Sequence, residues 1–151
     1  MTDDEFWKLI ACIDTIALDN GYDEAAIFPL RTALTAKSEP DLIAFGELLA
    51  QKLYAIDGEE YAQNAGENGC SDDPFLYVRL YVVAKGRKYY EELRSDPKKM
   101  PKSIKQWCEA LLHPHWYAWA AQTGNEPVAW PYFPSVSYES GSNEELWRPS
   151  R

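Results

Sequence analysis

The chain has 151 residues, 46% apolar and 14% aromatic, which is enough to bury the core of one domain and too much for extensive disorder. Twenty-four acids against fifteen bases leave a net charge of −9, which argues against general binding to nucleic acid. No apolar run nears the roughly 20 residues of a membrane span, and the chain opens on Thr2, Asp3, Asp4 and Glu5, not on a basic leader.

In chain order, Phe6, Leu9, Ile10, Ile13, Ile16 and Ala17 share one helical face, with Thr2 and Glu5 as a capping box and Asn20-Gly21 as the stop. A second helix follows from Asp23 through Ala26, Ile27, Leu30, Ala33 and Leu34, with a late start or kink expected at Pro29. Ser38, Pro40 and Asp41 open a third, carrying Leu42, Phe45, Leu49, Leu53 and Ile56 to a stop at Asp57-Gly58. Residues 59–73 read as loop with a short helical turn around Tyr61. Asp73-Pro74 then caps a run, Phe75 to Ala84, that is apolar on nearly every side except at Arg79, and the same helix is expected to continue past Gly86 to Arg94. Ser103 opens a helix with Ile104, Trp107, Leu111 and Leu112 inward, and His115 to Thr123 forms a further short one stopped by Gly124.

From Asn125 onward, Pro127, Pro131, Pro134 and Pro149 mingle with Trp130, Tyr132, Phe133, Tyr138 and Trp147. Such a segment cannot be a long helix, yet it carries too many rings for a solvated linker. The expectation is therefore an all-α, single-domain bundle of about five or six helices around a central apolar helix. Residues 1–124 would form the helical domain, with 125–151 an aromatic, proline-rich tail packed partly on it, holding a short strand at most around Val136 to Tyr138 and loose after Ser140.

The block Gly69-Cys70-Ser71-Asp72-Asp73-Pro74-Phe75, with Arg79, Tyr81, Gly86-Arg87 and Asp96-Pro97 after it and Phe6-Trp7-x-Leu9-Ile10 before it, resembles a bacterial family known as domain of unknown function 4240. The resemblance spans residues 1–97, with Tyr81 standing where the pattern has Trp. It implies a mostly helical bacterial cytoplasmic protein and no established reaction.

Arg79 within an apolar helix needs a carboxylate or carbonyl partner, because desolvating a guanidinium costs several kcal/mol. Asp72 or Asp73 is the expected partner, the other acid capping the helix. The competing reading makes Ser71, Asp72, Asp73, Arg79 and Tyr81 a polar pocket that grips a ligand or a partner's side chain. The residues bring no nucleophile and base together, so no catalytic residue and no cofactor are assigned.

His113-Pro114-His115 supplies too few ligands for a metal and reads as a helix-breaking turn with partly exposed histidines. The three cysteines, Cys12, Cys70 and Cys108, form no CxxC pair, and Cys70 reads as a small buried side chain. Five of the six tryptophans fall from Trp107 onward, as core between helices and tail.

Residues 1–75 carry a net charge of −12 and residues 76–151 +3, with nine bases between Arg79 and Lys105. Either acidic and basic surfaces simply pack together, or the acidic half meets a basic partner. The function expected is non-enzymatic protein binding. Its most specific form is an acidic immunity protein that docks on a basic toxin. The alternative is a small-ligand protein or enzyme using the pocket around Asp72, Asp73 and Arg79. Neither nucleic acid nor membrane is an expected partner, and oligomeric state is not legible.

Overall fold

Thr2 begins the fold as a capping residue should. In the computed structural model, which describes residues 1–148, its hydroxyl accepts the Glu5 N–H at 3.1 Å and the Glu5 carboxylate accepts the Thr2 N–H at 2.7 Å. Helix α1 (Asp3–Ile10) is shorter than its apolar period suggests. Asp14 interrupts it, its Oδ1 accepting from the N–H groups of Ile16 and Ala17 at 3.1 Å and so starting a separate α2 (Thr15–Asp19). Helix α3 (Asp23–Thr35) runs through Pro29, which lies on the exposed side, where water can take up the carbonyl the proline leaves free. Ser38 caps α4 (Glu39–Tyr54), and α5 (Glu59–Gln63) buries Tyr61 in the turn expected there.

After a 3-10 turn (Gly66–Cys70) come α6 (Asp72–Ala84) and α7 (Arg87–Ser95). These are two helices, not the one expected, because Gly86 between them has φ 103°, a conformation that breaks the helical ladder and that glycine alone adopts freely. Later come α8 (Pro114–Thr123), closed by left-handed Gly124, and α9 (Glu144–Trp147). The described residues thus hold nine α-helices and no strand, an all-α domain with more and shorter helices than five or six.

The helix expected from Ser103 does not form. The Ser103 carbonyl accepts from Asn68 Nδ2 at 2.9 Å, and the Cys108 N–H donates to the Tyr77 carbonyl at 3.1 Å, so tertiary partners take the backbone groups a helix would use. A 3-10 turn (Glu109–Leu112) remains, and Ile104 is 64% exposed. Cys70 is exposed as well, contrary to expectation.

Helix α6 is the middle of the molecule, with Val78, Leu80, Val82 and Val83 fully buried, each contributing about 1.5–3 kcal/mol. It packs on α4, α7 and the two 3-10 turns; α8 fills the space between α3 and α4. The tail crosses this body as an extended strap. From Trp130 to Ser140 burial alternates, with Trp130, Tyr132, Pro134, Val136, Tyr138 and Ser140 turned inward and the residues between them outward. That is the period of an extended chain. It makes no strand around Val136 because a helical body offers no sheet edge to pair with. Pro149, Ser150 and Arg151, the end of the expected tail, lie outside the described residues.

Candidate functional site

Arg79 sits two turns into α6 with its side chain fully sealed. Its Nη1 donates to the Leu53 carbonyl, and its Nη2 donates to the Tyr138 carbonyl and Ser140 Oγ, all at 3.0 Å, while the Phe75 ring lies 4.7 Å from the guanidinium carbon. The carboxylate beside it is Asp57, 4.0 Å away and equally buried, not Asp72 or Asp73. Burial lowers the Arg79 pKa to about 10 against the pull of Asp57, so the cation persists at neutrality. Asp57 in turn accepts three hydrogen bonds from the end of the strap: Gly141 N–H and Trp147 Nε1 on one oxygen, at 3.0 and 2.8 Å, and Asn143 N–H on the other at 3.0 Å. The chain after Ser140 is therefore clasped, not loose.

Ser71, Asp72 and Asp73 stand exposed at the start of α6, and Ser71 occupies the cap position without a side-chain hydrogen bond. Asp72 reaches Arg79 only through its main chain, its carbonyl accepting from Ser140 Oγ at 2.7 Å. Tyr81, two residues past Arg79 and so across the helix from it, donates its hydroxyl proton to Asp19 Oδ1 at 2.7 Å. The structure thus separates the five expected binding residues into an exposed turn, a sealed cation and a link to α2.

A groove of about 460 Å³ opens elsewhere, between α4, the start of α8 and the strap. Trp116, Trp130, Tyr132 and Tyr138 wall it, and Glu47, His113 and His115 bring polar groups to it. His115 is 5% exposed, and its Nδ1 has no hydrogen-bond partner in the protein. Its ring packs against α4 because position 46 is glycine; a Cβ there would lie 2.8 Å from His115 Nε2. Burial lowers the pKa of His115 to about 3 and that of His113, stacked 3.6 Å from Trp116, to about 4, so both rings are neutral at pH 7. The expected exposed pair is a buried and a half-buried one. Glu47 behaves oppositely. Burial works to raise its pKa, but the N–H and hydroxyl of Ser135 and the amide of Gln51 donate to its carboxylate and hold the pKa below the ordinary value.

The third feature is an edge of the molecule. Ile16 on α2, Tyr22 at the start of α3 and Phe28 on α3 are 76%, 68% and 63% exposed. Asp14, Asp19 and Glu24 are exposed on the same two helices, and Arg31, paired with Glu24 at 3.2 Å, is the one base between Lys8 and Lys37.

A family model described as protein of unknown function (DUF4240) matches residues 1–138. The chain belongs to the DUF4240 family. No curated protein and no solved structure matches it. The DUF4240 match runs past Pro97 and takes in the groove-lining strap, while Ser140, Gly141, Asn143 and Trp147, which hold Arg79 and Asp57, lie beyond it. Asp57 and Glu47 are the polar residues that motif reading missed, and His115, read as partly exposed, is buried. Nothing adjacent in sequence marks Asp57, which reads as a helix stop, whereas the density of rings around His115 was visible. Among the described residues no three histidine, cysteine or acidic side chains gather as a metal-ligand set.

Proposed function

We propose that this DUF4240 protein is a non-enzymatic binding module that docks a basic protein partner on its α2–α3 edge. The observation that carries the reading is the exposure of Ile16, Tyr22 and Phe28 on adjacent helices amid Asp14, Asp19 and Glu24. Large exposed apolar anchors among mostly acidic side chains are the residue pattern of a protein interface, and the excess of acids favours a partner of opposite sign. Pairing within the fold supports the same edge. Arg87 on α7 and Lys52 on α4 pair with Asp3 and Asp4 of α1, and on the edge itself Asp19 pairs with Lys85 and Glu24 with Arg31, which leaves Asp14 without an ion pair among the described residues and the edge acidic by three carboxylates against Arg31. In its most specific form the partner is a basic toxin or nuclease whose active cleft this edge covers.

The test uses the basic product of a neighbouring gene as the named partner. Wild-type protein should bind it in low salt and release it in high salt, and Phe28→Ala and Glu24→Lys should each weaken binding about tenfold or more while the thermal midpoint holds. Binding that ignores both substitutions, or salt, would overturn the reading.

A further inference from the structure

We infer that the groove between α4, α8 and the strap is a binding site for a small aromatic amine, a flat apolar body bearing one protonated nitrogen. This goes beyond the docking edge and does not depend on it. The volume, about 460 Å³, is that of a pocket for a small organic molecule. Its walls, Trp116, Trp130, Tyr132 and Tyr138, present ring faces and edges suited to another ring and to a cation near it.

Charge selects the sign of the ligand. None of the lining residues is Lys or Arg, whereas two, Glu47 and Glu139, are acids. Glu139 lies within the field of the buried Arg79. Glu47 does not share that compensation. It is held ionised by neutral donors alone, and no Lys or Arg forms an ion pair with it among the described residues. The histidines cannot supply the missing positive charge, because burial keeps both neutral. An anionic ligand would face the uncompensated charge of Glu47, and an ammonium group supplies the counter-charge that Glu47 lacks.

The second, independent observation is His115. It is more than nine-tenths buried in the groove lining, and its Nδ1 is without a partner. Leaving a buried polar atom unpaired is unfavourable, and such atoms in native proteins are commonly met by water or ligand. Gly46 lets Nε2 sit against α4, so the unpaired Nδ1 is a sealed polar atom behind the groove wall, and the Glu47 carboxylate is the charged point on the groove that lacks a basic partner.

The experiment titrates the full chain by calorimetry with tryptamine and 1-naphthylmethylamine, and with indole-3-acetate and 1-naphthoate as ring-matched anions. Proton–nitrogen spectra follow the indole N–H signals of Trp116 and Trp130. The amines should bind and move those signals, and the carboxylates should bind at least about tenfold more weakly. Glu47→Gln should weaken amine binding about tenfold. Ser137→Trp, at an exposed position on the rim, should block the groove without touching the core, and it decides the matter if Glu47→Gln loosens the strap. Amines that fail to bind, anions that bind as well as amines, or binding undiminished by Ser137→Trp would each overturn the site.

Discussion

His115 shows what burial does to one side chain. Its pKa in the fold is about 3, below the ordinary 6.5, because the imidazole sits among Phe45, Trp116 and Trp130 where a charge is costly. As the pH falls through 6.5 the unfolded chain takes up a proton that the folded chain refuses, so stability falls with pH. From pH 6.5 to 5 this one residue removes about 1.5 kcal/mol, and His113 acts in the same direction. Asp3, Asp19 and Glu47, whose pKa values the fold lowers, have their effect at more acid pH, since their stabilisation is lost only as the pH falls through the carboxylate range. Urea unfolding at intervals between about pH 7 and 5 should therefore show a decline that His115→Phe flattens. A decline of equal slope in that variant would place its origin elsewhere. Arg79 was legible in the same residue-by-residue way, since a cation in an apolar helix needs an acceptor. The identity of that acceptor was not, because Asp57 comes from the far end of α4 and looks in sequence like a helix terminator.

At the scale of elements, the 3-10 turn Gly66–Cys70 is held hard against α5. A Cβ on Gly69 would stand 1.8 Å from the Ala62 carbonyl oxygen, closer than any packing allows, and that neighbour is backbone. Gly69→Ala should therefore force the turn off α5 and cost more than the roughly 1 kcal/mol typical of a point substitution, whereas Gly21→Ala, with open space around its Cβ, should cost only the strain of its φ of 83°. Thermal midpoints of the two variants provide the comparison, and equal losses would contradict the packing argument. Elements whose signals are local were legible: the Thr2–Glu5 box, Ser38 ahead of α4, the apolar run of α6 and the Gly124 stop. Elements decided by distant partners were not. Residues 103–108 have helical spacing in their apolar residues, but Asn68 and Tyr77 claim their backbone. The strap's alternating burial was visible only around Val136, since its prolines and rings mask a period of two.

For the whole molecule, two ties join parts distant in sequence. One is ionic and superficial: Lys85 with Asp19 and Arg87 with Asp3 and Asp4 bring the basic and acidic halves together, pairs that solvent screens and that hold the fold only weakly. The other is buried, and the strap is part of it. Asp57 depends on Gly141, Asn143 and Trp147 for its hydrogen bonds, and Arg79 on Tyr138 and Ser140 for two of its four neighbours. The span that matches the family therefore ends inside this network, and a chain cut after residue 138 would leave a buried carboxylate with no donor except a cation 4.0 Å away. Hydrogen bonds to a charged group contribute about 1.5–3 kcal/mol each, and removing one member of a buried ionic set costs about 3–5 kcal/mol. Trp147→Ala, which deletes one bond to Asp57 and the edge-on contact with Phe75 at 5.8 Å, should lose about 2 kcal/mol. Removal of residues 139–151 should lose at least about 4 kcal/mol, a large part of an ordinary domain's stability. Denaturant unfolding should rank full chain above Trp147→Ala above the 1–138 fragment. A fragment as stable as the full chain would mean that water, not the strap, satisfies Asp57, and that α4 and α6 hold their buried charges without it.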